Sequence, residues 1–194
     1  MKKTQGKLLM TAGEIDLVLA RISAEIIEQL SSHDEFAFIG IRRRGVHLAQ
    51  RLCRKVEAIL KRPIPIGILD ITLYRDDLTA ISYRPMLRET LIDFDINNLN
   101  LVLVDDVLYT GRTIRAALDG IVDLGRPRRV QLAVLIDRGG REFPIQADYV
   151  GKHFETAENE TVEVRLNEED GEERVILLKK PHPSSAEADT WEGK

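Results

Sequence analysis

The run Leu101-Val102-Leu103-Val104 constrains the fold most. Four consecutive apolar residues leave a strand no polar face. Such a strand must be covered on both sides, as in the middle of a parallel sheet. The sequence then changes abruptly to Asp105-Asp106, passes through Val107-Leu108-Tyr109, and reaches Thr110-Gly111-Arg112-Thr113. Thr113 to Leu124 has helical periodicity, and Val130 to Ile136 is another apolar strand. Strand, helix and strand in alternation predict an α/β fold with a central, mainly parallel sheet flanked by helices.

The flanking segments fit that architecture. Thr11-x-x-Glu14 has capping-box spacing, in which two otherwise orphaned backbone donors are satisfied. Ile15, Val18, Leu19, Ile22, Ile26 and Leu30 then recur at helical intervals. Phe36 to Ile41 suits a buried strand, broken by Arg42-Arg43-Arg44-Gly45. Leu48, Leu52, Val56 and Ile59 or Leu60 mark a second helix that stops before Pro63. Cys53 lies beside that stripe and reads as a small buried hydrophobe. A strand is expected from Pro65 through Tyr74, and another from Glu89 to Asp95. Between them, about residues 75–88, lies a charged stretch of the length found in lids and disordered segments. Thr161 to Leu166 alternates, Glu169-Asp170-Gly171-Glu172 offers a turn, and Arg174 to Leu178 answers it. That pair predicts a C-terminal β-hairpin at the edge of the sheet. Residues 1–180 read as one domain and 181–194 as a disordered tail.

Composition narrows the function classes. The 194 residues include one cysteine, which excludes a disulfide scaffold and a cysteine-built zinc site. No apolar run approaches a membrane span, and no signal-peptide core follows Met1 to Lys7, so a cytoplasmic protein without membrane contact is expected. The net charge of −4 conceals a gradient. Residues 1–65 carry 12 basic and 7 acidic side chains, residues 66–150 carry 10 and 13, and residues 151–194 carry 6 and 12. The total therefore says little about a local anion site.

The strongest chemistry is the string from Asp105 to Thr113. It begins at the carboxyl end of a strand, where open α/β sheets bind ligands. Adjacent carboxylates there can accept hydrogen bonds from a diol or stand near a cation. Thr110-Gly111-Arg112-Thr113 can cradle a phosphate with backbone N–H groups, two hydroxyls and a helix start. Together they suggest a ribose 5-phosphate site. Neither the dinucleotide glycine fingerprint nor the Walker lysine loop is present.

At this point the string resembles the phosphoribosyl-pyrophosphate (PRPP) motif of type I phosphoribosyltransferases. Three further segments resemble one family in particular: Leu69-Asp70-Ile71-Thr72-Leu73-Tyr74-Arg75-Asp76-Asp77-Leu78, Gly125-Arg126-Pro127, and Val134-Leu135-Ile136-Asp137-Arg138-Gly139. That family is the bifunctional pyrimidine operon attenuation protein/uracil phosphoribosyltransferase, and the resemblance runs from about Ile15 to Leu178. It implies the type I fold with a small hood, PRPP and uracil as substrates, UMP as product, and Mg²⁺ bound with PRPP. Asp105 and Asp106 are implied at the ribose hydroxyls and near the metal, directly or through water. The loop Val107 to Thr113 (Val107, Leu108, Tyr109, Thr110, Gly111, Arg112, Thr113) is implied around the PRPP phosphate. Arg42, Arg43, Arg44 and Gly45 match the pyrophosphate loop. Three consecutive arginines are not expected all to face inward, and Arg44 is favoured. Arg75 is implied to close over the pyrophosphate from the long loop. Asp137 is implied near the metal or base, and Arg138 near the base and pyrophosphate. Residues 139–151 are implied to cap uracil through backbone groups. His33, His47 and His182 receive no catalytic role.

The resemblance also implies binding of pyrimidine operon leader mRNA, promoted by uridine nucleotides (UMP/UTP), and a homodimer or higher homo-oligomer. The first helix carries only Arg21 as a basic residue, Gly140 replaces a histidine common in relatives, and Lys152-His153-Phe154-Glu155-Thr156 departs from the family pattern. These departures lie outside the PRPP string. Alternatives are an RNA-binding regulator with a nucleotide-sensing site and little catalysis, or a phosphoribosyltransferase for another base.

Overall fold

The computed structural model describes residues 6–30, 35–74, 90–157 and 159–179. The expected closing loop, with Arg75, and the expected tail lie outside these residues. So do His33 and His182.

The first strand, β1 (Lys7–Thr11), leads directly into α1 (Ala12–Gln29). Then come β2 (Phe36–Ile41), α2 (Arg44–Leu60), β3 (Ile66–Leu69) and β4 (Asn100–Leu108). The second half adds α3 (Arg112–Leu124), β5 (Arg129–Asp137), β6 (Tyr149–His153), β7 (Glu160–Arg165), α4 (Asn167–Asp170) and β8 (Arg174–Lys179). β4 is the centre of a five-stranded sheet ordered β3-β2-β4-β5-β6, with every pairing parallel. It outlasts its apolar run because β5 stays paired with it as far as Leu108 opposite Asp137. The two carboxylates therefore sit inside a strand, not after one.

Strand alternation divides the core between the faces of the sheet. Phe38, Val102, Val104 and Leu135 pack with α1 and α2. Ala37, Ile39, Leu101, Leu103 and Val134 pack with α3. Each large aliphatic side chain fully buried this way contributes about 1.5–3 kcal/mol. The expected core thiol is present. Cys53 is buried, lies 3.6 Å from the Ile64 carbonyl, and burial pushes its pKa up to about 12.

The capping box forms as expected. Thr11 Oγ1 accepts from the Glu14 N–H at 3.3 Å, and Glu14 Oε2 accepts from the Thr11 N–H at 2.9 Å. The Thr11 backbone donor and Lys152 Nζ, 3.1 Å from Oε1, hold the Glu14 carboxyl at about 2. Farther along α1, Arg21 donates to the carbonyls of Val150 and Gly151 at 2.8 and 2.7 Å and to Glu25 at 2.5 Å. It thereby binds backbone carbonyls of β6, the edge strand of the sheet among the described residues.

Three expectations need correction. The strand expected from Pro65 to Tyr74 ends at Leu69, because Asp70 Oδ1 accepts both the N–H and the hydroxyl of Thr72 and turns the chain. In place of the strand expected at Glu89–Asp95, residues 90–95 make one antiparallel bridge, Leu91 to Ile68. The C-terminal hairpin does form, but away from the edge of the main sheet. β7 and β8 join β1 in a separate antiparallel sheet ordered β1-β8-β7. Met10, Val162, Val164 and Val175 on that sheet enter the α1–α2 core. Its apolar face thus points at helices and does not extend the parallel ladder.

Candidate active site

Strands β2, β4 and β5 all end at the same edge, and the expected site residues gather there. Asp105 is 7% exposed. Its Oδ1 accepts the Asp106 N–H at 2.9 Å, and Asp106 Oδ1 accepts the Val107 N–H at 2.9 Å. Burial, and then the charge of Asp106, hold the Asp105 carboxyl well above the usual range. Burial also raises Asp106, opposed chiefly by the positive charge of Arg44. Two adjacent carboxylates with so little solvent form a site that favours a cation or a pair of hydroxyl donors.

A cavity of about 440 Å³ opens beside them, lined by Arg42, Arg43, Arg44, Asp70, Ile71, Thr72, Asp105, Asp106, Val107 and Thr113. All three arginines of the loop contribute to its lining, and their side chains differ in setting: that of Arg44 is 30% exposed and that of Arg43 is 61% exposed. Gly45 seats the loop: a Cβ there would lie 2.4 Å from the Val104 carbonyl oxygen and 3.2 Å from Asp105 Cα. Only glycine lets the start of α2 approach β4 so closely beside the acidic pair. The Arg42–Arg43 peptide is cis. Arg43 contacts Glu169 at 2.8 Å, and Arg44 makes a two-bond pair with Asp170 at 3.0 and 2.8 Å.

The expected phosphate cup is the start of α3. Gly111 takes φ 90° at the N-cap and has no side chain with which to cap the helix. The Arg112 N–H donates to Thr110 Oγ1 at 3.4 Å, and the helix dipole at this end favours an anion at the N–H groups that follow. Thr113 lines the cavity. The Thr110 carbonyl accepts from the Glu142 and Phe143 N–H groups at 2.9 and 3.0 Å, which fixes the turn. The Arg112 side chain bonds Glu142 at 2.6 Å and lies over the Phe143 ring. Leu108 is core, and Tyr109 lies under the Arg138 guanidinium, 3.9 Å from it.

A second cavity, of about 670 Å³, opens at the end of β5. Asp137, Gly139, Arg141, Ile145, His153 and Phe154 are among its lining residues. Burial alone would raise the Asp137 carboxyl, but a 2.5 Å bond from Arg141 and one from the Gly139 N–H hold it below its usual range. Arg138, adjacent in sequence, is absent from this lining. It is buried, and donates to Thr156 Oγ1 and the Glu160 carbonyl, each at 2.9 Å. Sequence reasoning placed Arg141 only within the backbone cap of residues 139–151 and gave its side chain no role, and it overlooked His153, whose Nδ1 is 3.8 Å from Asp137. The available signals were a charged residue following Gly139-Gly140, both with positive φ, and a histidine at the carboxyl end of a parallel strand. Asp70 and Thr72 likewise had no assigned role.

A model of the phosphoribosyl transferase domain matches residues 10–169. A Thermus aquaticus protein named bifunctional protein PyrR is 55% identical over 172 residues, covering 89% of this chain and 95% of its own. A protein of the same name from Pelotomaculum thermopropionicum is 58% identical over 160 residues, with coverage of 82% and 88%. Among solved structures, a hypoxanthine phosphoribosyltransferase from Trypanosoma cruzi superposes with TM-score 0.66 at 21% identity, covering 89% of this chain and 95% of that one. A hypoxanthine-guanine phosphoribosyltransferase from Bacillus anthracis gives 0.67 at 16%, with coverage of 91% and 99%. The structural likeness establishes the fold. Together with identities above one half across most of both chains, it places the sequence: the chain belongs to the phosphoribosyl transferase domain family and, within it, to the PyrR proteins.

Proposed function

We propose that the protein is a uracil phosphoribosyltransferase, which joins uracil to PRPP to give UMP and pyrophosphate. The observation that carries this reading is the buried Asp105-Asp106 pair, set between an arginine loop and a helix start across one cavity. Asp105 and Asp106 accept hydrogen bonds from the ribose 2′- and 3′-hydroxyls. The α3 N-terminus, with the hydroxyls of Thr110 and Thr113, holds the 5′-phosphate. Arg42, Arg43 and Arg44 face the pyrophosphate, with Arg75 joining them from the long loop. The base enters the cavity of Asp137, with Arg141 fixing that carboxylate as an ionised acceptor. Arg138 acts from behind by holding Tyr109.

The site suits Mg²⁺ carried in with PRPP. Among the described residues, no group of three or more carboxylates, histidines or cysteines converges as a metal cage. Asp105 and Asp106 would hold the ion, directly or through water, together with oxygens of the substrate. When bound, the ion supplies charge neutralisation to the leaving pyrophosphate. In the reaction, a ring nitrogen of uracil forms a bond to C1′ while the C1′–oxygen bond breaks. The electron pair leaves with pyrophosphate, and the N–H proton of uracil passes to solvent water. The residues here contribute orientation and preorganised charge, and enclosure of the site limits hydrolysis.

The same reading makes UMP or UTP at this site the signal for binding pyrimidine operon leader mRNA, in keeping with relatives named bifunctional. Arg21, the basic residue of α1, is held by Glu25 and β6 carbonyls, so the RNA face must draw its charge from elsewhere. The protein acts in the cytoplasm as a homodimer or larger homo-oligomer. No helix among the described residues is long and apolar enough to cross a membrane.

The test is UMP formation from labelled uracil, PRPP and Mg²⁺, with hypoxanthine, guanine and orotate in parallel. Absence of turnover with uracil refutes the enzyme reading. A gel shift with the leader RNA over a salt series, with and without UMP, tests the regulator reading. A sizing measurement tests the oligomer.

A further inference from the structure

Building on the reading of the arginine loop as a diphosphate site, we propose that Asp170 is a positioning residue that sets Arg44 for the diphosphate of PRPP. Asp170 comes from α4, in the connection between β7 and β8 of the small sheet, more than 120 residues away in sequence. Its two oxygens take the Nε and Nη2 edge of Arg44 at 3.0 and 2.8 Å. Oδ2 also accepts the Leu166 N–H at 2.9 Å, so the carboxylate is itself tied down, and its side chain is only 18% exposed.

A guanidinium has two usable edges in one plane. With one edge on Asp170, the plane and rotamer of Arg44 are set, and Nη1 has no protein partner among the described residues. Arg44 lines the cavity and lies within the electrostatic reach of Asp106. Its second edge is thus available to an anion beside the acidic pair. Orientation of a long side chain, otherwise lost as entropy when a ligand binds, is completed during folding.

Neighbouring contacts show why Asp170 has this role and Glu169 does not. Glu169 makes a single bond to Arg43, whose side chain is 61% exposed. Arg51, two turns into α2, bonds both Glu168 and Glu173. Those pairs fasten the acidic connection along α2. Asp170 makes a two-bond grip on an arginine of the cavity wall. Because three hydrogen bonds hold its carboxylate, it acts as a brace for Arg44 and not as a mobile competitor for the anion.

The experiment measures binding of magnesium pyrophosphate to the full-length protein by calorimetry, with KM for PRPP alongside. Asp170→Asn is expected to weaken pyrophosphate binding by about 10-fold and raise KM for PRPP similarly. The kcat at saturating PRPP and the KM for uracil should stay within about two-fold. In an Arg44→Ala background, Asp170→Asn should add nothing, and Glu169→Gln alone should shift binding less than about two-fold. If Asp170→Asn does not fold, Asp170→Glu, which moves the charge by one methylene, takes its place in the same cycle. Unchanged or tighter pyrophosphate binding by the Asp170 variant overturns the proposal. So does an equal loss with and without Arg44, which would mark a merely structural role. Wild-type protein that binds magnesium pyrophosphate without converting uracil would refute the enzyme reading and leave this inference standing. Failure of the wild type to bind it overturns both.

Discussion

Asp105→Asn should make the ligand-free protein more stable while nearly abolishing turnover. The aspartate is buried beside a second carboxylate, and its ordered protein donor is the Asp106 N–H. Two unit charges in contact repel by up to about 4 kcal/mol at an effective dielectric of about 20. Arg44 offsets part of this by favouring the ionised form of Asp106. Asparagine has the same shape, keeps the acceptor and removes the repulsion. A net gain of about 1–2 kcal/mol is expected, which raises Tm by about 3–6 °C in a chain of this size. The direction of the pH effect follows from the carboxyl being raised in the folded state by burial. Such a group contributes stability below its unfolded pKa and loses it as pH rises through its folded value. The two melting temperatures should therefore converge in acid and separate toward neutrality. Turnover should fall by about 1,000-fold, the scale of losing a preorganised electrostatic contact. Calorimetric scans across pH, with a uracil turnover assay, check both halves. A variant less stable than wild type at neutral pH refutes the reasoning about the acidic pair. Full activity refutes its place in the site, and Asp105→Asn with Asp106→Asn should leave the fold intact and no turnover.

Other perturbations probe separate parts of the structure. Gly45→Ala places a methyl against the Val104 carbonyl, so KM for PRPP should rise and stability should fall by about 1–3 kcal/mol, read from steady-state kinetics and a melt. Native Cys53 should resist a thiol reagent at pH 8 and react only with denaturant, since burial holds its thiol at about 12; rapid native labelling contradicts the buried placement. Glu14→Gln should lower Tm at neutral pH. The depressed carboxyl contributes above its unfolded pKa and loses that contribution as pH falls through about 2, so the gap should close there. Arg141→Ala should raise KM for uracil more than KM for PRPP, and equal rises would remove Arg141 from the base side.

Much of this architecture was legible because each signal was local. Val102 and Leu103 are adjacent yet enter different cores, as the unbroken apolar run of β4 required. Thr11 and Glu14 make their reciprocal bonds three residues apart, and the string from Asp105 to Thr113 lies on one strand–turn–helix. Long-range partners left no such trace. The pairing of β1 with β8, the Arg44–Asp170 bond and the Arg138 stack on Tyr109 depend on the folded topology. Arg138 and Arg141 show the limit well. Only the fold reveals that Arg138 turns back into the protein while Arg141 meets the cavity. Strand ends were misjudged where one side chain, Asp70, diverted the backbone.

The small sheet joins distant parts of the chain, with Lys7 opposite Leu177 and Thr11 opposite Arg174. Pairings of such sequence separation close large loops and weigh on the folding rate. Here they also complete the support from which α4 reaches the arginine loop. Trimming β1 would strip β8 of one neighbour and loosen the mount of Asp170, so damage at residue 7 would register as altered grip on a ligand bound beyond β4. On the proposed reading, the first strand is the latch of a distant anion site.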